Sequence, residues 1–137
     1  MKNIKSKLVL KVFALSMISV LLLTTSAFAA HFRGTFSRNV GYGNLPAYSD
    51  NVYKVVTDGN WMFKVNSNPS ISEMNYAIVN SNKETRGASR NTSGTGTIYR
   101  LSSSGSAGHY YKLRVKKTSS NPLKAYTIQA DWDPDAN

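Results

Sequence analysis

The chain has 137 residues and no cysteine, with 17 lysines and arginines against 7 acids, a formal net charge of +10. That length suits one compact domain, and the missing thiols exclude a disulfide scaffold, a thiolate zinc site and a cysteine nucleophile. The excess of positive charge favours anionic partners.

The first residues carry Lys2, Lys5, Lys7 and Lys11 without an acid, an apolar run fills 12–23, and small residues follow at Ala27 and Ala29. This order predicts a secretory signal peptide over 1–29, cut between Ala29 and Ala30. The apolar run is shorter than the roughly 20 residues of a spanning helix, and Ser16 and Ser19 interrupt it. The mature chain is then one domain over 30–137, exported to the extracellular side. Cysteine-free export fits a Gram-positive bacterium. Three acids, Asp131, Asp133 and Asp135, lie together near the C-terminus, which leaves the body of that domain strongly basic. An anionic cell-wall polymer or a membrane surface is the expected partner, and nucleic acid is not expected.

Downstream of the signal, helical periodicity is nearly absent and period-two alternation recurs in short runs. HFRGTF (31–36) puts Phe32 and Phe36 on one face, and NVGYGNLPAYSD (39–50) reads as a Gly/Pro/Asn-rich loop. Residues 52–66 predict a hairpin about Asp58-Gly59, a type I′ dipeptide, with Val56 facing Trp61 and Val52 facing Val65. Phe63 joins that apolar face, and Lys54 is its one charged member. After a break at 67–70, Met74, Tyr76 and Ile78 alternate in another strand, and residues 80–96 read as a weak edge strand or a long loop. A strand at 97–101 and a flexible SSSGSAG turn follow.

HYYKLRVKK (109–117) points Tyr111, Leu113 and Val115 one way and Tyr110, Lys112, Arg114 and Lys116 the other. Tyr126, Ile128, Ala130 and Trp132 share a face of a last strand, reached through a turn at Asn121-Pro122. About six to eight such strands predict an all-β fold, a small antiparallel β-sandwich, with a small β-barrel as the alternative.

GHYYKLR (108–114) and the closing ADWDPD (130–135), with matching strand spacing at 74–80 and 97–101, resemble a family of small secreted Gram-positive proteins that carry a domain of unknown function. The resemblance covers the C-terminal half. It implies a signal peptide and a compact β domain, and it brings no catalytic residues.

No catalytic group stands out. His31 lies beside the cleavage site and His109 opens a strand; no serine sits in a G-x-S-x-G elbow. Asp50, Asp58, Glu73 and Glu84 fall in turns or strand starts, and two distant histidines give no zinc spacing. Asp131, Asp133 and Asp135 echo the start of a calcium loop, but Pro134 interrupts it and Ala136 stands where the turn glycine belongs, so the tail is expected to be solvated. No glycine-rich phosphate loop opens a helix, so neither a nucleotide nor any other cofactor is expected. The outward stripe Tyr110, Lys112, Arg114 and Lys116 is the candidate ligand-binding surface, bases for phosphates and an aromatic for stacking. The resulting expectation is a secreted, non-catalytic protein that binds anionic cell-envelope polymers through a basic face. The alternatives are a bacteriocin-like antibacterial effector and a small extracellular hydrolase.

Overall fold

The computed structural model describes residues 31–41, 45–70, 72–119 and 124–136. The cleavage position at Ala29 and Ala30 and the Asn121-Pro122 turn lie outside the described residues. Among the described residues nine strands form in chain order: β1 (Gly34–Val40), β2 (Ala47–Tyr48), β3 (Val52–Tyr53), β4 (Asn60–Ser67), β5 (Met74–Val79), β6 (Arg90–Thr92), β7 (Ile98–Ser102), β8 (Tyr110–Lys117) and β9 (Tyr126–Asp133). There is no helix among the described residues.

The strands build two antiparallel sheets that stay open at their edges, a small β-sandwich. Sheet I runs β1-β9-β4-β7, and sheet II runs β2-β8-β5-β6 with β3 also pairing β8. The strand tally exceeds the expected six to eight because the segment read as a loop at 39–50 contributes the end of β1 and the dipeptide β2. β2 and β3 lie along the same edge of β8. Between them the Ser49 hydroxyl accepts the Leu113 N–H at 2.9 Å, and the Ser49 N–H reaches the Leu113 carbonyl at 2.9 Å, so the ladder continues across the gap.

Alternation correctly marks most of the inward side chains. Trp61, Phe63 and Val65 of β4, Met74, Tyr76 and Ile78 of β5, Tyr111, Leu113 and Val115 of β8, and Ile128, Ala130 and Trp132 of β9 are all buried in one core. Phe63 is its hub, stacked on Trp61, Tyr76 and Tyr99 with centroids 4.7–5.2 Å apart. Burial pushes the Tyr76 hydroxyl pKa up, with the Tyr99 phenol adding to the shift.

The pairing of these strands departs from the sequence expectation. Asp58 and Gly59 do take positive φ, 55° and 75°, yet they turn a corner between sheets and close no hairpin. Trp61 sits opposite Leu101 and Val65 opposite Ala130, while Val52 and Tyr53 pair with Tyr111 and Tyr110 of the other sheet. Val56 is exposed, and Lys54 is buried. The strands at 110–117 and 126–133 likewise belong to different sheets. Among the described residues, β5 and β6 are the one consecutive pair of strands joined in a ladder. Every other ladder joins distant segments, a topology that defers contact formation and slows folding.

The C-terminal carboxylates do not form a solvated tail. Asp133 is 2% exposed and Asp135 6%. Arg33 Nη2 donates to both, and its Nε donates to Asp133 at 2.6 Å. The Asp133 hydrogen bond is the main reason the Arg33 pKa is pushed up. Asp135 also accepts the backbone N–H groups of Val55 and Val56, at 2.7 and 3.1 Å. Lys54, 0% exposed, donates its ammonium to Asp135 at 3.0 Å and to the Pro134 carbonyl at 2.6 Å. These oxygens face cations and N–H donors, so the calcium reading of the tail loses its ligands.

Two predictions follow from this end of the sandwich. Asp135→Asn leaves the Lys54 ammonium buried without a counter-charge, a loss of about 3–5 kcal/mol, whereas Lys54→Met keeps Asp135 paired with Arg33 and costs less. Burial alone would raise the Asp135 carboxyl, but the Val55 N–H, Arg33, Lys54 and the Val56 N–H outweigh it and hold its pKa below the ordinary range. Its stabilisation is therefore complete above the unfolded value, about 4, and is lost as pH falls through the lower folded value. Urea denaturation from neutral to acid pH should show that loss in the parent and a shallower one in Asp135→Asn.

Gly34 lies opposite Trp132 in the β1–β9 ladder. A Cβ there would stand 2.3 Å from the Trp132 indole nitrogen and 2.7 Å from a Val52 methyl. Gly34→Ala should cost about 1–3 kcal/mol by overpacking, read as a lower urea midpoint with an unchanged slope.

Candidate basic face on the second sheet

β8 is held on both sides, by β5 and by β2 and β3. Its inward residues anchor it in the core, so its outward side chains stand on a rigid element. The four residues of the predicted stripe do share this face: Tyr110 is 58% exposed, Lys112 and Arg114 are half-buried and Lys116 is exposed. Successive outward positions on a strand are about 6.6–6.8 Å apart.

The four differ in what they are doing. Arg114 donates through Nη2 to Asn75 at 3.0 Å and through Nη1 to Thr85 at 3.3 Å. Its Nε is buried without a partner. Beside it, Ala77 and Val79 of β5 face outward and are still fully buried; their cross-strand neighbours are Arg114 and Lys112. A long stem at each of those cross-strand positions is in place to shield a small apolar neighbour, and with its two hydrogen bonds Arg114 has a structural part as well as a surface charge. Lys112 and Lys116 are in no ion pair among the described residues.

Several residues join this face that sequence reasoning did not include. Tyr48 of β2 is the cross-strand partner of Arg114, and the Lys83 ammonium sits 5.4 Å from its ring centroid. Asn75, partner of Lys116, bonds Asn91 of β6 at 2.8 Å. Lys83 arrives by way of the 80–86 turn, which folds back through the Val79–Thr85 bridge. Alternation within β8 cannot reveal any of these neighbours.

Two depressions flank the stripe. At the Lys116 end, an open groove of about 550 Å³ is lined by Asn75, Asn91, Arg114, Lys116, Lys117, Thr118 and Ser119, amides, hydroxyls and bases without a carboxylate. At the Tyr110 end, a cleft of about 410 Å³ is lined by Asn80, Ser81, Arg86, Ser104, Ser106 and Gly108 to Tyr111. Both volumes fall in the range of small-ligand sites, about 300–1,000 Å³. Arg86 in the second cleft is ion-paired with Glu84, and the Asn80 side-chain amide holds the same carboxylate at 2.8 Å. The Asn80 hydrogen bond and then the Arg86 charge keep the Glu84 pKa below the ordinary range.

No ring nitrogen of His31 or His109 bonds a serine hydroxyl or a carboxylate among the described residues. Nor do three or more His, Cys, Asp or Glu side chains gather into a metal site there.

Arg114→Ala should lower stability by about 1–2 kcal/mol through the lost hydrogen bonds to Asn75 and Thr85 and lost packing beside Ala77. Lys116→Ala should stay within about 0.5 kcal/mol, as expected of a surface change. Thermal or urea unfolding of the pair separates the structural base from the surface one. No protein-family model, no curated protein and no solved structure matches this chain.

Proposed function

We propose that this domain is exported and acts outside the cytoplasm as a non-catalytic binding protein, holding an anionic cell-envelope polymer on the outer face of sheet II. One observation carries the reading. Lys112 and Lys116, in no ion pair among the described residues, stand on a strand braced from both sides, and Lys116 lines a groove with donors and no carboxylate. Each such lysine is worth about 1 kcal/mol against an anionic surface at moderate salt, and the attraction fades within a Debye length, about 8–10 Å. Regular spacing along β8 suits a ligand whose own charges repeat. The rigid sheet means that little ordering entropy is lost by the protein on binding. Export is supported by the basic, apolar and small-residue order of residues 1–29.

The test is retention on purified cell-wall material and on vesicles of anionic lipid, each in rising salt. Retention on wall material should fall steeply with salt, and the double variant Lys112→Gln/Lys116→Gln should bind about tenfold more weakly or worse. Binding indifferent to salt, or unchanged in the double variant, rejects the charged face as its cause. Stronger retention on vesicles than on wall would move the assignment to the membrane surface.

A further inference from the structure

We propose that the cleft at the Tyr110 end of sheet II is a saccharide subsite, in which the Tyr110 ring stacks on the apolar face of a sugar. The inference rests on the polymer reading only in making that sugar a unit of the polymer held along β8.

The cleft differs in chemistry from the stripe beside it. Its one guanidinium, Arg86, is already balanced by Glu84, so the cleft carries little net charge. Ser81, Ser104, Ser106 and His109 supply both donors and acceptors. A ligand that suits such a lining presents several hydroxyls, little charge and one apolar surface. A pyranose ring is that kind of ligand, with hydroxyls at its rim and C–H groups on its faces.

The aromatic is placed for it. Tyr110 is 58% exposed, a large ring left to water. Tyr53, its cross-strand partner, forms a T-shaped pair with it, ring centroids 5.4 Å apart and planes at 67°. T-shaped packing of this kind favours one ring orientation, and Tyr110 stays 58% exposed with that contact made.

The floor and walls are fixed before any ligand arrives. Gly105 lies so close to the Tyr111 ring that a Cβ would stand 2.9 Å from it, and the Tyr111 hydroxyl donates to the Ser106 carbonyl at 3.2 Å. The Gly105 N–H bonds the Ser103 hydroxyl at 3.1 Å, and its carbonyl accepts the Asp58 N–H at 2.8 Å. Ser104 N–H reaches the Arg86 carbonyl at 3.1 Å, and Ala107 N–H the Thr57 hydroxyl at 3.0 Å. A loop of small residues that reads as flexible in sequence is thus pinned at four successive points, the pre-organisation that a weak, hydroxyl-rich ligand needs.

The experiment is a nuclear magnetic resonance titration of the purified protein with two neutral probes, the N-acetylglucosamine tetramer and maltotetraose. High salt, about 1 M, shortens the Debye length to about 3 Å and suppresses the charged face. At millimolar probe, amide signals of Gly105, Gly108 and Tyr110 should move with at least one sugar. Tyr110→Ala should weaken that binding about tenfold, Tyr110→Phe should retain it, and Lys112→Gln/Lys116→Gln should leave it unchanged. Circular dichroism checks that each variant is folded. If neither sugar moves these signals, or if Tyr110→Ala binds as the parent does, the subsite is wrong, and salt-dependent wall binding can still stand. If the sugar binds and salt-dependent wall binding is absent, the polymer reading falls and the subsite survives.

Discussion

A single ammonium joins the two sheets at one end of the sandwich. Lys54 leaves the β3–β8 ladder of sheet II, where its backbone pairs with Gly108 and His109. Its side chain then ends on Pro134 and Asp135, just past the last strand of sheet I. A charge withdrawn completely from water is tolerable only with such partners. Asp135 serves Lys54, Arg33 and two backbone N–H groups at once, so the segment leading into β1, the corner after β3 and the segment leaving β9 are held by one carboxylate. A chain without cysteine thereby closes its ends by a cluster of charge-assisted hydrogen bonds, with the full β1–β9 ladder beside it.

That closure has consequences at the opposite surface. With β3 tied down through Lys54, the backbone from 52 to 54 is laid along β8, and Tyr53 comes to rest beside Tyr110. The aromatic end of the basic face and the clamp are therefore parts of the same construction. The remainder of the face depends on β5 and on the 80–86 turn, which brings Thr85 to Arg114 and Lys83 to Tyr48. The edges are protected by familiar means: β2, β3 and β6 are short, and β1 carries Arg38 at an otherwise inward position, where it reaches Asp50.

Charge on this protein is divided by role. Arg33 and Lys54 are consumed in holding the fold, Arg114 bonds Asn75 and Thr85, Arg86 is balanced locally, and Lys112 and Lys116 carry no ion pair among the described residues. Net charge is therefore a poor guide to the charge this face presents. The outer face of sheet II carries fewer bases outside ion pairs than composition implies, and a cleft whose one guanidinium is balanced adjoins them.

Alternation alone identifies the all-β class and most inward residues between Phe32 and Trp132, but it turns Val56 inward, where the fold exposes it, and leaves the buried Val40 in a loop. It also showed that Tyr110, Lys112, Arg114 and Lys116 share a side, because side-chain direction along a strand is a local, period-two property. It could not choose neighbours. The inward faces of both sheets are equally apolar, so the pattern at 52–57 and 60–66 fits a hairpin as well as two strands in different sheets, and even the correct left-handed turn at Asp58-Gly59 did not decide between them. The same blindness hid Tyr48, Lys83, Asn75 and Asn91 from the face, and made a solvated tail of Asp133 and Asp135. Those assignments required knowing which distant segments meet, and only the closing of the two sheets over a common interior brings an ammonium from residue 54 to a carboxylate at residue 135.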